Sequence, residues 1–280
     1  MALAAAGCGK PKNTAPPVAT PSVTLNHDRV ATGSPLEITY KFVVASDAKF
    51  DEDFRVFAHV LDTDEEQMWT DDHMPPKPTS QWKPGDTIEY TRTIFVPAFP
   101  YVGDASLVVG LHSTKDQHRL PLSGQDAGQL SYRVATLQIL PQTDNLFTVF
   151  KDGWQSAETS TNDAFIEWQW TKKVGTLAFK NPKKDAIFYL DLDSPSKELH
   201  DAQKVQIVMG GETLAELTVT PDARELHKIT LPARLMGDAD LSELQLVVDH
   251  TFQPSVVTNG ASKDTRELGV RVFHAFVDPR

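Results

Sequence analysis

The stretch Thr87–Phe95, TIEYTRTIF, consists largely of β-branched and aromatic residues that alternate in character. Ile88, Tyr90, Arg92 and Ile94 occupy every second position, and threonine and glutamate fill most of the positions between them. Because side chains alternate between the two faces of a strand with a period of two, these four residues share one face. The pattern predicts a half-buried strand of an antiparallel sheet.

Runs of the same kind recur from Val23 onward, separated by turn-forming residues such as those in ATGSP, KPGD and SGQDAG. In the first half they are Leu36–Val44, Phe54–Asp62, Thr87–Pro97, Ser106–His112 and Leu130–Leu140. In the second half they are Ala164–Trp170, Val174–Lys180, Ala186–Asp193, Lys204–Gly210, Thr213–Val219, Glu225–Pro232, Glu243–His250 and Leu268–Val277. With no helical stretch between them, these runs are typical of antiparallel sandwiches.

The runs therefore predict an all-β protein made of two consecutive antiparallel β-sandwich domains. Strand density drops at LPQTDN (Leu140–Asn145), where a proline interrupts the pattern. We place the domains at residues 23–142 and 143–280. Within the second domain, MGGET (Met209–Thr213) predicts a tight hairpin in which glycine supplies the positive φ angles.

Composition excludes several classes of protein. Apolar residues make up 40% of the 280 and charged residues 23%, as in ordinary globular proteins. The net charge of −11 argues against a nucleic-acid partner, because no excess of basic residues is present to neutralise phosphates. Beyond the first residues, no apolar run approaches the ~20 residues of a membrane-spanning helix.

The head of the chain carries its only cysteine, Cys8, in LAAAGC, and a proline-rich segment follows. LAAAGC resembles the lipobox of bacterial lipoproteins, although Ala5 stands where a large aliphatic residue is usual. The resemblance implies a lipid on Cys8 and loss of residues 1–7, which we interpret as the remnant of a signal peptide. The segment up to Ser22 is predicted to be an extended tether, so residues 1–22 form no domain. The alternative is a free cysteine in a disordered tail.

Both halves also resemble modules of bacterial envelope proteins. The first half contains a strand ending in HVLD, then DHMPP, PTSQWKPGD and VVGL followed by RLPL. It resembles the extracytoplasmic β-sandwich attached to membrane glycosyltransferases of the dolichyl-phosphate-mannose type. The second half contains DGWQSAE, FIEWQW, TFQPS and RELGVRVF, and resembles a lectin-like sandwich from the same set of proteins. The resemblance implies an Ig-like fold followed by a lectin-like jelly roll, and it carries no transferase activity.

Catalytic patterns are absent from the sequence. It has no G-x-S-x-G motif, and its nine histidines form neither H-x-x-x-H nor H-E-x-x-H. His59 alternates with Phe57 and Leu61, so we expect a hydrogen-bonded core residue. We therefore expect no catalytic residues and no cofactor.

WTDDHMPP (Trp69–Pro76) is the most concentrated polar group in the sequence. Asp71, Asp72 and His73 could hold a hard cation or act as acid and base. The alternative is structural, with an aspartate capping the turn into the proline-rich loop and His73 packing on it.

Tryptophans offer the other candidate binding residues. Trp168 and Trp170 lie two apart and share one face of a strand, so they could stack on sugar rings if that face is outward. The polar residues between and before them favour the core interpretation instead. Trp154, in the turn DGW, is expected to be the more exposed aromatic residue.

The sequence as a whole predicts a non-catalytic, lipid-anchored protein of the cell envelope, on the extracytoplasmic side of a membrane. Its expected partners are membrane lipid, through acylated Cys8, and an integral membrane protein complex in which it is an accessory subunit. One alternative is a carbohydrate-binding module for envelope glycans. Another is a metal-assisted hydrolase centred on Asp71, Asp72 and His73.

Overall fold

The computed structural model describes residues 15–98, 100–162, 166–194, 201–221 and 223–280. The chain divides into two compact units, one ending at Asp144 and the other beginning at Asn145. Cys8, with its predicted lipidation, lies outside the described residues. Within them, no helix combines the length and the hydropathy needed to cross a membrane.

The first unit is built from ten strands in the described part of the chain. They are β1 (Ala19–Leu25), β2 (Arg29–Ala31), β3 (Pro35–Val44), β4 (Phe54–Leu61), β5 (Gln67–Thr70), β6 (Thr87–Phe95), β7 (Gly103–Ser113), β8 (Arg119–Leu120), β9 (Gln125–Asp126) and β10 (Tyr132–Leu140). Two short 3-10 helices accompany them at Thr79–Gln81 and Gln142–Asp144.

These strands form two sheets that enclose a hydrophobic core. The smaller sheet has the order β1-β3-β6, and the larger has the order β2-β10-β7-β4-β5, with β8 and β9 at its margins. Side chains from both sheets meet in one cluster, to which β3 contributes Ile38, Tyr40 and Phe42. All pairs are antiparallel except β2 with β10. The predicted antiparallel β-sandwich is confirmed for this unit.

Strand β1 differs from the tether predicted up to Ser22. It begins at Ala19 and pairs with β3 from Ala19↔Val44 to Leu25↔Ile38. Pro21 lies inside it, opposite Phe42. A proline cannot donate to a ladder, but β1 is an edge strand and needs partners on one side only. Proline content therefore gave a misleading signal at this point.

The second unit has ten strands in its described residues. They are β11 (Thr148–Phe150), β12 (Glu158–Thr159), β13 (Glu167–Trp170), β14 (Val174–Lys180), β15 (Ala186–Asp193), β16 (Gln203–Met209), β17 (Glu212–Val219), β18 (Glu225–Leu231), β19 (Leu241–Val248) and β20 (Arg271–Pro279). Two one-turn helices, α1 (Ala233–Met236) and α2 (Pro254–Val257), connect some of them.

The strands of the second unit also form two antiparallel sheets, confirming the all-β prediction. Their orders are β11-β14-β19-β16-β17 and β12-β13-β20-β15-β18. The core between them takes alternate residues from strands of both sheets, such as Phe188 and Leu190 on β15 and Leu244 and Leu246 on β19. The predicted glycine hairpin joins β16 to β17, with φ angles of 57° at Gly210 and 81° at Gly211.

Candidate functional site

A buried polar cluster in the first unit links the segment after β5 to β3 and β6. Asp71 is only 8% exposed. Arg92 donates to both of its oxygens, from Nε at 2.8 Å and from Nη2 at 2.7 Å, and the hydroxyl of Tyr40 donates at 2.9 Å. Burial first, and then the Asp71 carboxylate, raise the pKa of Tyr40 above its usual range, so the phenol keeps the proton that it donates.

His73 belongs to the same cluster. Its Nδ1 lies 2.6 Å from the backbone carbonyl of Asp71 and its Nε2 lies 2.8 Å from the hydroxyl of Tyr90. A carbonyl can only accept, so Nδ1 carries the proton. Burial lowers the pKa of His73, so the ring is neutral at pH 7 and Nε2 accepts from Tyr90.

Asp72 points to a different neighbour. One of its carboxylate oxygens accepts from the backbone N–H of Ala58 at 3.1 Å and lies 3.3 Å from Nε2 of His59. The lone pairs of Asp71 and both nitrogens of His73 are already engaged. Asp71, Asp72 and His73 therefore do not converge on one point, and the described residues contain no His, Cys, Asp and Glu cluster arranged for a metal. The geometry favours the structural alternative for this segment over the cation or acid–base one.

In the second unit, the register of β13 decides which way its tryptophans face. Gln169 lies opposite Val272 of β20, and Val272 belongs to the core. Directly opposed residues share a face, so Gln169 faces the core and Trp168 and Trp170 face away from it. This differs from the expectation that the polar residues would mark the outer face. Within the described residues, the sheet continues beyond β13 only with the two-residue strand β12, so a polar side chain can lie at the margin of the core.

The two tryptophans differ in exposure. Trp170 is 7% exposed because it packs with Phe252 and Leu268 in a small apolar cluster separate from the main core. Trp168 lies at the edge of that cluster and is partly exposed. The outer face of this sheet thus keeps one tryptophan ring partly open to solvent.

Trp168 of β13 lies beside an arginine and a phenylalanine of β20. The ring centroids of Trp168 and Phe273 are 6.0 Å apart, with 56° between the ring planes. The guanidinium carbon of Arg271 lies 5.5 Å from the Trp168 ring, and that of Arg224 lies 3.9 Å from the Phe273 ring. We call these four residues, Trp168, Phe273, Arg271 and Arg224, the Trp168 face.

Two buried aspartates on β15 fix the arginines of the Trp168 face. Arg271 donates to both oxygens of Asp193 at 2.7 Å, and Arg224 donates to both oxygens of Asp191, the shortest bond being 2.6 Å. The Nδ1 of His274 lies 3.0 Å from Asp191. Burial disfavours the Asp191 carboxylate, but hydrogen bonds from His274 and Arg224 outweigh it and lower its pKa below the usual range. Both aspartates act as fixed anions that hold the arginines in place.

Trp154 does not belong to the Trp168 face. Its Nε1 donates to the carbonyl of Thr176 at 2.8 Å, and its ring meets Phe150 edge to face at 4.6 Å. A Cβ added at Gly175 would lie 2.9 Å from the ring, so the ring lies directly on the backbone of β14. All of these contacts are on the other sheet, and they hold Trp154 partly buried.

Sequence reasoning missed the partners of Trp168. Phe273 and Arg271 were present in the predicted strand VRVFHAFV, but its alternation does not say which face is outward. Arg224 comes from a loop, and no pattern points to it. The signal that could have found the pair on β20 is the alternation of Arg271 and Phe273 with the apolar Val270 and Val272.

No protein-family model matches this chain, and no curated protein matches it. Solved structures give distant similarity to carbohydrate-binding β-sandwich modules. One is the M60 catalytic domain with two CBM51 domains of Clostridium perfringens ZmpB, at 12% identity and a TM-score of 0.26, covering 88% of this chain and 34% of that one.

Two further structures are similar at the same level. SGBP-B of the Bacteroides ovatus mixed-linkage glucan utilization locus, in complex with a mixed-linkage heptasaccharide, has 10% identity and a TM-score of 0.30, covering 92% of this chain and 53% of that one. The CBM22 tandem of Paenibacillus barcinonensis Xyn10C has 9% identity and a TM-score of 0.28, covering 89% and 80%. The chain spans about a third to a half of the first two. TM-scores this low assign no ligand.

Proposed function

We propose that this chain is a non-catalytic carbohydrate-binding protein and that the Trp168 face is its binding surface. The observation that carries the proposal is a partly exposed tryptophan ring on the outer face of a sheet, beside two fixed arginine–aspartate pairs. Three of the other four tryptophans, Trp69, Trp82 and Trp170, are buried. Trp154 is held against the other sheet.

The chemistry of this face suits a sugar. A pyranose has an apolar face of C–H groups that packs on an aromatic ring, and a rim of hydroxyls that need hydrogen-bond partners. Trp168 and Phe273 supply rings, and the arginine side chains beside them, which keep part of their surface in water, supply donors. Because Asp191 and Asp193 already hold the arginines, little side-chain entropy would be lost on binding.

Titration calorimetry against a panel of neutral oligosaccharides tests the proposal. Trp168→Ala should weaken binding by about tenfold or more, which corresponds to about 1.4 kcal/mol and is typical of one well-placed aromatic ring. The matched control is Leu241→Ala, which removes an apolar side chain that is 57% exposed on the other sheet. Unchanged affinity in Trp168→Ala, with the thermal midpoint preserved, would refute the assignment of the binding surface.

A second proposal concerns location. LAAAGC around Cys8 supports a lipid anchor on the extracytoplasmic side of the envelope, where the chain would act as an accessory subunit of a membrane protein complex. Mass spectrometry of the native protein tests the anchor. Acylated Cys8 with residues 1–7 absent is the expected result, and an unmodified Cys8 with Met1 retained would contradict it. Detergent pull-down of the same sample tests for the complex.

A further inference from the structure

A cavity of about 990 Å³ opens on the outer face of the larger sheet of the first unit. Its floor is formed by β4 and β7, and the segment from Arg119 to Tyr132 forms one wall. Ala58 lies opposite the core residue Val109, so its neighbours Phe57 and His59 face away from the core and into this cavity. The sequence pattern predicted a core position for this face of β4.

Phe57 and Arg119 form a rigid base for the cavity. Phe57 is only 1% exposed and its ring packs directly against Gly110, where an added Cβ would come within 2.2 Å of the ring. The guanidinium carbon of Arg119 lies 4.3 Å from the centroid of the Phe57 ring. Contact with a buried ring restricts the guanidinium group and reduces the entropy that it loses on binding.

Most of the donors of Arg119 are free for a ligand. Its Nη1 donates to the carbonyl of Gln129 at 2.9 Å, and among the described residues its guanidinium makes no other hydrogen bond and no ion pair. A planar guanidinium with unused parallel N–H groups matches a carboxylate in bidentate geometry. The feature therefore favours a ligand that carries a carboxylate.

The other charged groups along the cavity each have a partner within the protein. Glu65 accepts from Arg133 at 2.6 Å, and Asp126 accepts from the backbone N–H of Gly128 at 2.8 Å. His59 lies 3.3 Å from Asp72, and burial, partly offset by that carboxylate, lowers the pKa of its ring. Glu65 and Asp126 keep acceptor capacity for hydroxyl groups, since each carboxylate has several lone pairs.

The space around this cavity is larger than one small ligand needs. Glu65 also lines a second cavity of about 630 Å³. Arg133 lines the second cavity, so the Arg133–Glu65 ion pair stands at the boundary between the two. A ligand of more than one unit could therefore occupy both cavities across this ion pair.

We propose that this cavity is a second binding site, distinct from the Trp168 face, and that it takes an acidic sugar of the uronic-acid class whose carboxylate docks on Arg119. Arg119 is the group that would recognise the carboxylate of the ligand. The sugar part rests on the proposed function and on the hydroxyl acceptors of the lining, because a simple carboxylate would fill little of the volume.

Titration calorimetry of the full chain with methyl glucuronide, methyl glucoside and acetate tests this inference. The glucuronide should bind at least tenfold tighter than either of the other two probes. Arg119→Gln should remove that difference, and Arg119→Lys, which keeps the charge but not the fork, should recover only part of it. Arg55→Gln is the matched control, because Arg55 is an exposed arginine on β4, the strand of Phe57, and does not line the cavity.

The outcomes separate this inference from the proposed function. Equal affinity for glucuronide and glucoside, or for glucuronide and acetate, would overturn the acidic-sugar site. Glucuronide binding that is lost in Trp168→Ala but retained in Arg119→Gln would overturn it too, while leaving the Trp168 face in place. Glucuronide binding that depends on Arg119, with no oligosaccharide bound at the Trp168 face, would support the cavity and refute the proposed function.

Discussion

At the residue scale, three buried aspartates are each held by one arginine in two-point geometry. The pairs are Asp71–Arg92, Asp191–Arg224 and Asp193–Arg271. In every pair the carboxylate is almost inaccessible while the arginine keeps part of its surface in water. Each buried carboxylate therefore depends on the positive charge of its arginine, because a buried charge without an opposite charge beside it is unstable.

Asp71→Asn should destabilise the first unit by about 2–4 kcal/mol, since it removes the charge that compensates Arg92 and weakens the bond to Tyr40. Urea unfolding followed by tryptophan fluorescence measures the change. Asp72→Asn is the matched control and should cost less, because Asp72 is more exposed than Asp71. Equal losses in the two variants would contradict the structural role assigned to Asp71.

The lowered pKa of Asp191 predicts a pH dependence of stability for the second unit. Because its folded-state pKa lies below its ordinary value of 3.8, Asp191 contributes stability above that value and loses it as the pH falls through the folded-state pKa. The thermal midpoint should therefore drop more steeply below pH 4 in the wild type than in Asp191→Asn. Parallel curves for the two proteins between pH 5 and pH 2.5 would show that this group makes no such contribution.

At the scale of elements, alternation predicted strands well but not their orientation. Val174–Lys180 and Ala186–Asp193 are β14 and β15 with the predicted bounds. On β4 and β13, however, the pattern assigned the wrong face to the core. Alternation sorts residues into two sets, and the choice between the sets depends on cross-strand register and on loops that cover a sheet from outside. Register and covering loops both depend on residues that are far apart in the sequence. For this reason Phe57 can be fully buried although it lies on an outer face.

The same non-local packing limits what the sequence says about sites. Trp168 could be selected from the sequence, but Arg224 and Arg119 could not, because each reaches its aromatic partner from a segment without periodicity. Asp71 and His73 were selected for their chemistry, and their structural role depends on partners from distant strands, Arg92 and Tyr90 on β6 and Tyr40 on β3.

Gly110→Ala tests how closely β4 and β7 pack outside the core. Its Cβ would lie 2.2 Å from Cζ of Phe57 and 2.8 Å from the carbonyl of Leu130, so the ring must move. We expect a loss of about 1–3 kcal/mol in the free energy of unfolding, as for other overpacked sites. Gly124→Ala is the control, since its nearest contact would be an ordinary 3.6 Å from Tyr132. A Gly110→Ala protein as stable as Gly124→Ala would contradict the close packing of Phe57 on Gly110.

At the scale of the whole molecule, each unit encloses a hydrophobic core of its own, formed by its own two sheets. Leu107 is a core residue of the first unit and Leu190 of the second, and both are almost completely buried. Replacing either by alanine should cost about 2–5 kcal/mol, because a cavity remains where the side chain was.

Since a unit with its own core can unfold as one cooperative body, scanning calorimetry should resolve two transitions. Leu107→Ala should lower the midpoint of one and Leu190→Ala the midpoint of the other. A single transition that both variants shift equally would mean that the two cores unfold together, and stability changes could then not be assigned to one unit.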